Sequence, residues 1–208
     1  GETGYTVWRN TSDTTAGATQ ISTILAAGAV SYDDTGATPG QQYYYWVRAT
    51  NSTSTSQSDY STSNGGYRKL SAPGSVAATD GTHDTKVTIT WADVTGETGY
   101  TVWRNTANTT AGATQISTIL AAGTVSYDDS SATAGTLYYY WVRATNSTST
   151  SQGDYSSSDS GFRNMSAPGS VAATDGTDTT KAVVTWADVT GETGYTVWRN
   201  TSDTTAGA

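Results

Sequence analysis

The sequence predicts an all-β protein made of tandem seven-stranded β-sandwiches with a 95-residue repeat. Three observations carry this. First, GETGYTVWRN begins at Gly1, Gly96 and Gly191, a constant spacing of 95 residues, and residues 1–95 match residues 96–190 without gaps at 75 of 95 positions. Second, Thr, Tyr, Trp and Val fit pleated strands, while Glu, a helix former, occurs only at Glu2, Glu97 and Glu192. Third, short alternating segments are separated by clusters of Asn, Asp, Gly and Ser, which make turns. A 95-residue unit is too long for a solenoid turn and suits a small independent domain.

The middle copy shows the elements in order. Residues 74–79 follow Pro73 and read as a first strand. Residues 86–91 alternate, which puts Val87, Ile89 and Trp91 on one face. Residues 100–104 follow the turn 96–99, with Tyr100 and Val102 inward. Residues 114–119 read as a short edge strand, and residues 124–127 as another with Val125 and Tyr127 inward. After a polar connection, residues 137–145 form the longest strand, with Tyr138, Tyr140, Val142 and Ala144 on one face. Residues 155–162 close the unit. Alternation this regular implies one buried and one solvated face per sheet.

Composition bounds the rest. Of 208 residues only 35% are hydrophobic, but seven Trp and fourteen Tyr supply large apolar areas for a core in a Ser/Thr-rich chain. A net charge of -8 argues against nucleic acid, which is bound by clustered Lys and Arg. With no cysteine, stability does not rest on disulfides. No apolar run approaches the ~20 residues of a membrane-spanning helix.

The edges of the repeat add detail. Residues 191–208 reproduce residues 1–18 at every position and differ from residues 96–113 at Ala107 and Asn108. The expectation is a two-unit super-repeat of 190 residues, of which this chain is a window on a longer array. The Ala72-Pro73 opening, Trp91, the Tyr100-Thr-Val run and the Tyr138-x-Tyr140-x-Val142-x-Ala144 strand together resemble a fibronectin type III domain, an immunoglobulin-like sandwich common in bacterial extracellular proteins. Tyr43, Tyr45, Val47 and Ala49 repeat the pattern. The resemblance implies strands A, B, C, C′, E, F and G. It divides the chain into a partial unit 1–71 (C to G), a complete unit 72–166 and a partial unit 167–208 (A to C). The family usually has a Leu before strand F. Ala132 and Ala134 stand there instead, so the following tyrosine is expected to be packed by another group. Junctions such as residues 66–73 carry no flexible Gly/Ser linker, and their prolines stiffen them. End-to-end units in a semi-rigid rod are expected.

Chemistry is sparse. The single histidine, His83, becomes Asp178 in the next copy, and no His or Cys has metal-ligand spacing. No catalytic residue, metal site or cofactor is expected, and the chain is not read as an enzyme. The pairs Asp33-Asp34 and Asp128-Asp129 suit turn chemistry better than a weak Ca²⁺ site. Where integrin-binding members of the family carry Arg-Gly-Asp, this chain has Gln152-Gly153-Asp154 and lacks the cation.

The strongest candidate surface lies outward on strands C and F. Trp103, Tyr139 and Trp141 point away from the inward residues, with Arg143 nearby, and Trp8, Tyr44, Trp46 and Arg48 repeat the set. Such a face stabilises its own sheet, packs against another repeat or chain, or stacks on sugar rings. Asn51 and Asn146 are candidate glycosylation sites, because each begins an N-x-S/T triplet in the exposed F–G loop. The functional expectation is an extracellular or cell-surface structural protein: a spacer, stalk, adhesin or filament segment with self-association and glycans as candidate partners. The alternative is a carbohydrate-binding accessory repeat of a polysaccharide-degrading enzyme.

Overall fold

The computed structural model describes residues 1–147 and 151–205, with the Ser151 side chain left aside. The triplet residue Thr148 and the last three residues of the 167–208 unit therefore lie outside the described residues. All regular structure among the described residues is antiparallel sheet, with no helix and hence none long and apolar enough to cross a membrane.

In the first repeat, β1 (Gly4–Asn10), β2 (Thr19–Gln20), β3 (Leu25–Ala26), β4 (Gln42–Asn51), β5 (Ser56–Gln57) and β6 (Asn64–Tyr67) form one sheet. Its order is β2-β1-β4-β5, with β3 also on β1 and β6 also on β4. In the central repeat, β7 (Ala77–Ala78), β8 (Val87–Thr90), β9 (Gly99–Asn105), β10 (Thr114–Gln115), β11 (Leu120–Ala121), β12 (Ser126–Asp129), β13 (Leu137–Asn146), β14 (Ser151–Gln152) and β15 (Asp159–Phe162) form two sheets. One runs β10-β9-β13-β14, with β11 on β9 and β15 on β13; the other runs β12-β8-β7. The last repeat contributes only β16 (Ala172–Ala173) paired with β17 (Val184–Thr185).

Parity explains the central core. Val87, Ile89 and Trp91 enter from one sheet, and Tyr100, Val102, Tyr140, Val142 and Ala144 meet them from the other. Most are completely buried. Each large side chain so buried contributes about 1.5–3 kcal/mol against exposure. The Trp91 and Tyr100 rings tilt together at 5.5 Å. Tyr138 is only half-buried, and it is Arg104 that packs it, with the guanidinium carbon 4.3 Å from the ring centroid.

Three expectations are corrected. The edge strand expected over residues 114–119 is two short strands, β10 and β11, both on β9. The closing strand expected over residues 155–162 is shorter, β15 alone, with residues 153–158 irregular between β14 and β15. In both cases a serine hydroxyl takes the place of a backbone carbonyl in the ladder. Ser117 Oγ accepts from Val102 N at 2.9 Å, and Ser156 Oγ accepts from Val142 N at 3.0 Å. The buried amides stay satisfied while the strand bulges. Third, Val125 is 44% exposed: it lies just before β12 begins, with only its carbonyl engaged, accepting from Trp91 N at 3.1 Å.

The first repeat has the same C–F sheet without the opposing one. Val47 is 40% exposed where its counterpart Val142 is fully buried, although the two strands share their sequence from Tyr to Asn. Packing, not local propensity, sets the difference.

Candidate functional site

The outward aromatic face is assembled by strand pairing. The register of β9 and β13 sets Trp141 opposite Trp103, and β1 with β4 sets Trp46 opposite Trp8. Tyr139 and Tyr44 continue the rows opposite Asn105 and Asn10. Trp141 and Trp46 are each only 4% exposed, while Trp8, Trp103, Tyr44 and Tyr139 are half-buried.

The cover is a residue that sequence reasoning missed. Tyr155 meets Trp103 edge-on at 5.5 Å, and Tyr60 meets Trp8 in the same way. The Arg143 guanidinium then stacks on Tyr155 at 4.6 Å, and that of Arg48 on Tyr60 at 4.8 Å. Trp103 Nε1 donates to Thr101 Oγ1 at 3.0 Å. The available signal was the tyrosine that follows Asp154 in one copy and Asp59 in the other. Ring edges, ring faces and the cation are thus engaged within one sheet.

Beneath it a carboxylate ties the two sheets. Asp129, at the end of β12, is fully buried. Its Oδ2 accepts from Arg104 Nη1 at 2.5 Å and from the Tyr140 hydroxyl at 3.1 Å. Its Oδ1 accepts from Ser131 N at 3.0 Å and Ser131 Oγ at 2.7 Å. The Ser131 bonds are the turn chemistry expected of the Asp pair; the Arg104 and Tyr140 bonds cross to the other sheet. In the first repeat Asp34 accepts from Arg9 at 2.7 Å and Tyr45 at 3.0 Å. Asp128 instead pairs outside with Lys86 at 2.7 Å. No group of three or more His, Cys, Asp or Glu side chains is placed to hold a metal among the described residues.

These networks make the fold sensitive to alkali. Burial pushes the Tyr45 hydroxyl from 10 up to about 12, with the Asp34 hydrogen bond adding to it. Burial also raises Tyr100 and Tyr140, helped by Asp93 and Asp129 respectively. A raised tyrosine keeps its proton in the folded state. Its contribution is complete below the unfolded value near pH 10 and is lost as pH rises through the folded value. Urea midpoints should hold up to about pH 10 and fall steadily above it, with tyrosinate absorbance lagging that of free tyrosine. A midpoint independent of pH up to about 12 would contradict this assignment.

Contacts between repeats recur at the repeat spacing. Gly96 has a φ of +87° and Gly191 one of +91°. A Cβ on Gly96 would collide with the Pro39 carbonyl oxygen, and one on Gly191 with the Ala134 carbonyl oxygen. Opposite them, Gly40 and Gly135 also have positive φ, and a Cβ there would lie 2.6 Å from the Gly96 oxygen and 2.7 Å from the Gly191 oxygen. Both backbones approach too closely for any residue but glycine. Leu70 of the connecting segment is buried in the central core. Lys69 reaches Asp154 at 2.6 Å, an exposed pair.

The asparagines read as glycosylation candidates serve these turns. Asn146 Nδ2 donates to the Gly96 carbonyl at 2.6 Å, and Asn51 Nδ2 donates to the Gly1 carbonyl at 2.7 Å. Asn146 is buried, contrary to the exposed position expected for it. A sugar attached to that nitrogen would have to fit at a side chain only 8% exposed.

With this geometry in place, one solved structure decides the fold. The two fibronectin type III domain segment of chicken tenascin aligns over 76% of this chain and 82% of its own, at a TM-score of 0.53 and 11% identity. This is the fibronectin type III fold. Two more solved structures are similar. A fibronectin type III-like protein from Clostridium thermocellum covers 45% of this chain and 93% of its own, at 23% identity and a TM-score of 0.40. The FN1–FN3 domains of chicken CNTN1 cover 79% of this chain, which spans 55% of theirs, at 18% identity and a TM-score of 0.42. No family model matches the chain, and no curated protein matches it. In fibronectin type III terms, β12-β8-β7 is the E-B-A sheet and β10-β9-β13-β14 the C′-C-F-G sheet.

Proposed function

We propose that this chain is a non-catalytic segment of an extracellular or cell-surface tandem array. Fibronectin type III units 1–71, 72–166 and 167–208 act in it as semi-rigid spacers of a stalk, adhesin or filament. The observation that carries the reading is the glycine contact at Gly40 with Gly96, repeated 95 residues on at Gly135 with Gly191. A joint built twice from the same backbone approach sets reach and bend by geometry. A flexible tether would need neither. The engaged aromatic face supports sheet reinforcement over sugar stacking, because a sugar platform needs an open ring face and Trp141 has none.

The chain has no cysteine, so Thr15→Cys and Ser157→Cys place two unique dyes on neighbouring units. Their distance distribution should be narrow and should broaden on Gly96→Ala. Gly112→Ala is the control: Gly112 has a similar φ of +78° with nothing within 4 Å, so alanine there meets only backbone strain of about 1–2 kcal/mol. Equal distributions for Gly96→Ala and the unsubstituted chain would remove the junction as the basis of this reading.

A further inference from the structure

We infer that Asn108 is the acceptor of an N-linked sugar, carried by the central unit at a position where the flanking repeats have no acceptor. The inference rests on the extracellular reading for access to a glycosyltransferase; the choice of residue stands on the geometry below.

Six asparagines begin N-x-S/T triplets: Asn10, Asn51, Asn108, Asn146, Asn164 and Asn200. Such a triplet accepts a sugar at an exposed loop, where a second protein reaches both the carboxamide and the hydroxyl two residues on. The carboxamide must also turn to present its nitrogen, so one held at both ends is a poor acceptor. Asn10 Nδ2 donates to the Thr14 and Ala16 carbonyls at 2.9 and 3.0 Å, while its Oδ1 accepts from Thr11 N at 2.8 Å. Asn200 is held in the same way by the Thr204 carbonyl and Thr201 N. Asn51 lies between the Gly1 carbonyl and the Thr53 and Ser54 amides. Asn146 is buried. Asn164 is exposed but begins a junction segment; at the preceding junction the same places hold Lys69, Leu70 and Ser71, and Leu70 is buried in the next core, so access there depends on how the junction packs.

Asn108 differs from all of these. It stands in the C–C′ connection between β9 and β10, where residues 106–112 are all exposed. Its Oδ1 accepts from the Ser158 hydroxyl at 2.7 Å, and no group among the described residues accepts from its Nδ2. The loop is fixed instead by Asn105, whose Nδ2 donates to the Thr109 and Ala111 carbonyls at 2.9 and 3.1 Å. The triplet is therefore presented by a neighbour and its own carboxamide stays open.

The sequence makes the same division. Only Ala107 and Asn108 distinguish residues 96–113 from residues 1–18 and 191–208. Ala107, in place of Ser12, removes the triplet from the loop-fixing asparagine, and Asn108, in place of Asp13, creates one at the open position. The two changes together move the triplet from a held carboxamide to a free one. The reaction is a substitution. Nδ2 bonds the anomeric carbon of a sugar carried on a diphosphate, the carbon–oxygen bond to that diphosphate breaks with its electron pair, and one Nδ2 proton passes to the transferase. Oδ1 keeps its bond from Ser158.

Peptide mass mapping of the chain isolated from the cells that make it should find sugar on Asn108. The purified folded chain, treated with an N-x-S/T glycosyltransferase and UDP-glucose, should show occupancy at Asn108 roughly tenfold above that at Asn10, Asn51, Asn146 and Asn200, whose carboxamides must first give up hydrogen bonds. Short peptides spanning the same triplets, free of the fold, should be modified alike. Thr110→Ala, at an exposed position, should abolish the modification of Asn108 and leave the urea midpoint unchanged. A native chain bare at Asn108, or a folded chain modified equally at Asn51 and Asn108, would overturn the inference. A bare Asn108 in a chain that keeps the narrow junction distances would overturn it alone and leave the spacer reading standing.

Discussion

Replacing Asp129 with alanine is expected to remove about 3–5 kcal/mol from the central sandwich, the range found when one partner of a buried ion pair is deleted. The cause is what remains behind. Arg104 keeps its charge beneath the sheet, its side chain 18% exposed, with no carboxylate opposite. The Tyr140 hydroxyl, fully buried, loses its acceptor. Ser131 loses both turn bonds. Marginal stabilities of about 5–15 kcal/mol leave little after such a loss. Asp128→Ala, one residue away, removes only exposed contacts, the pair with Lys86 and the hydrogen bond donated by Thr88 Oγ1, and should cost about 1 kcal/mol. Native-state hydrogen exchange at β9 and β13 reads this sandwich without interference from the flanking repeats. Equal protection losses in the two variants would show that Asp129 is no cross-sheet tie.

The contrast between Asp128 and Asp129 also shows what was legible in the sequence. Parity identified the core: Val87, Ile89 and Trp91 face Tyr100, Val102, Tyr140 and Val142 as their alternation requires. The aromatic pairs of β9 and β13 followed from the same rule applied to the other face. The misses share a physical origin in contacts between segments distant in the chain. That Arg104 would reach Asp129, 25 residues on, depends on how two sheets close. That Tyr155 would cap Trp103 depends on where an interrupted strand returns, and the interruption depends on Ser156 replacing a carbonyl. Val125 has the inward parity and is still exposed, one residue before β12 begins. The junction glycines were readable as turns. Their near-contact with Pro39 and Ala134 was not, because no local rule states which turn of the next unit approaches.

Trp141→Ala bears most directly on what the outward face is for. The side chain is buried at 4% exposure beside Trp103, so its removal opens a cavity and should cost the central sandwich about 3–5 kcal/mol. Trp103→Ala, at a half-buried site, should cost less, and the two losses should not add, since the two residues are directly paired across β9 and β13. Sugar stacking makes the opposite demand: a platform ring stands open, so truncating it leaves stability nearly unchanged and abolishes retention on polysaccharide. Measuring both quantities on one variant separates the two roles. The expected result is a large stability loss together with no retention of the unsubstituted chain on insoluble polysaccharide. Retention that vanishes in Trp141→Ala at unchanged stability would instead make this face a glycan platform and sink the structural reading. The same logic extends to Trp46, whose neighbours Trp8 and Tyr60 reproduce the arrangement.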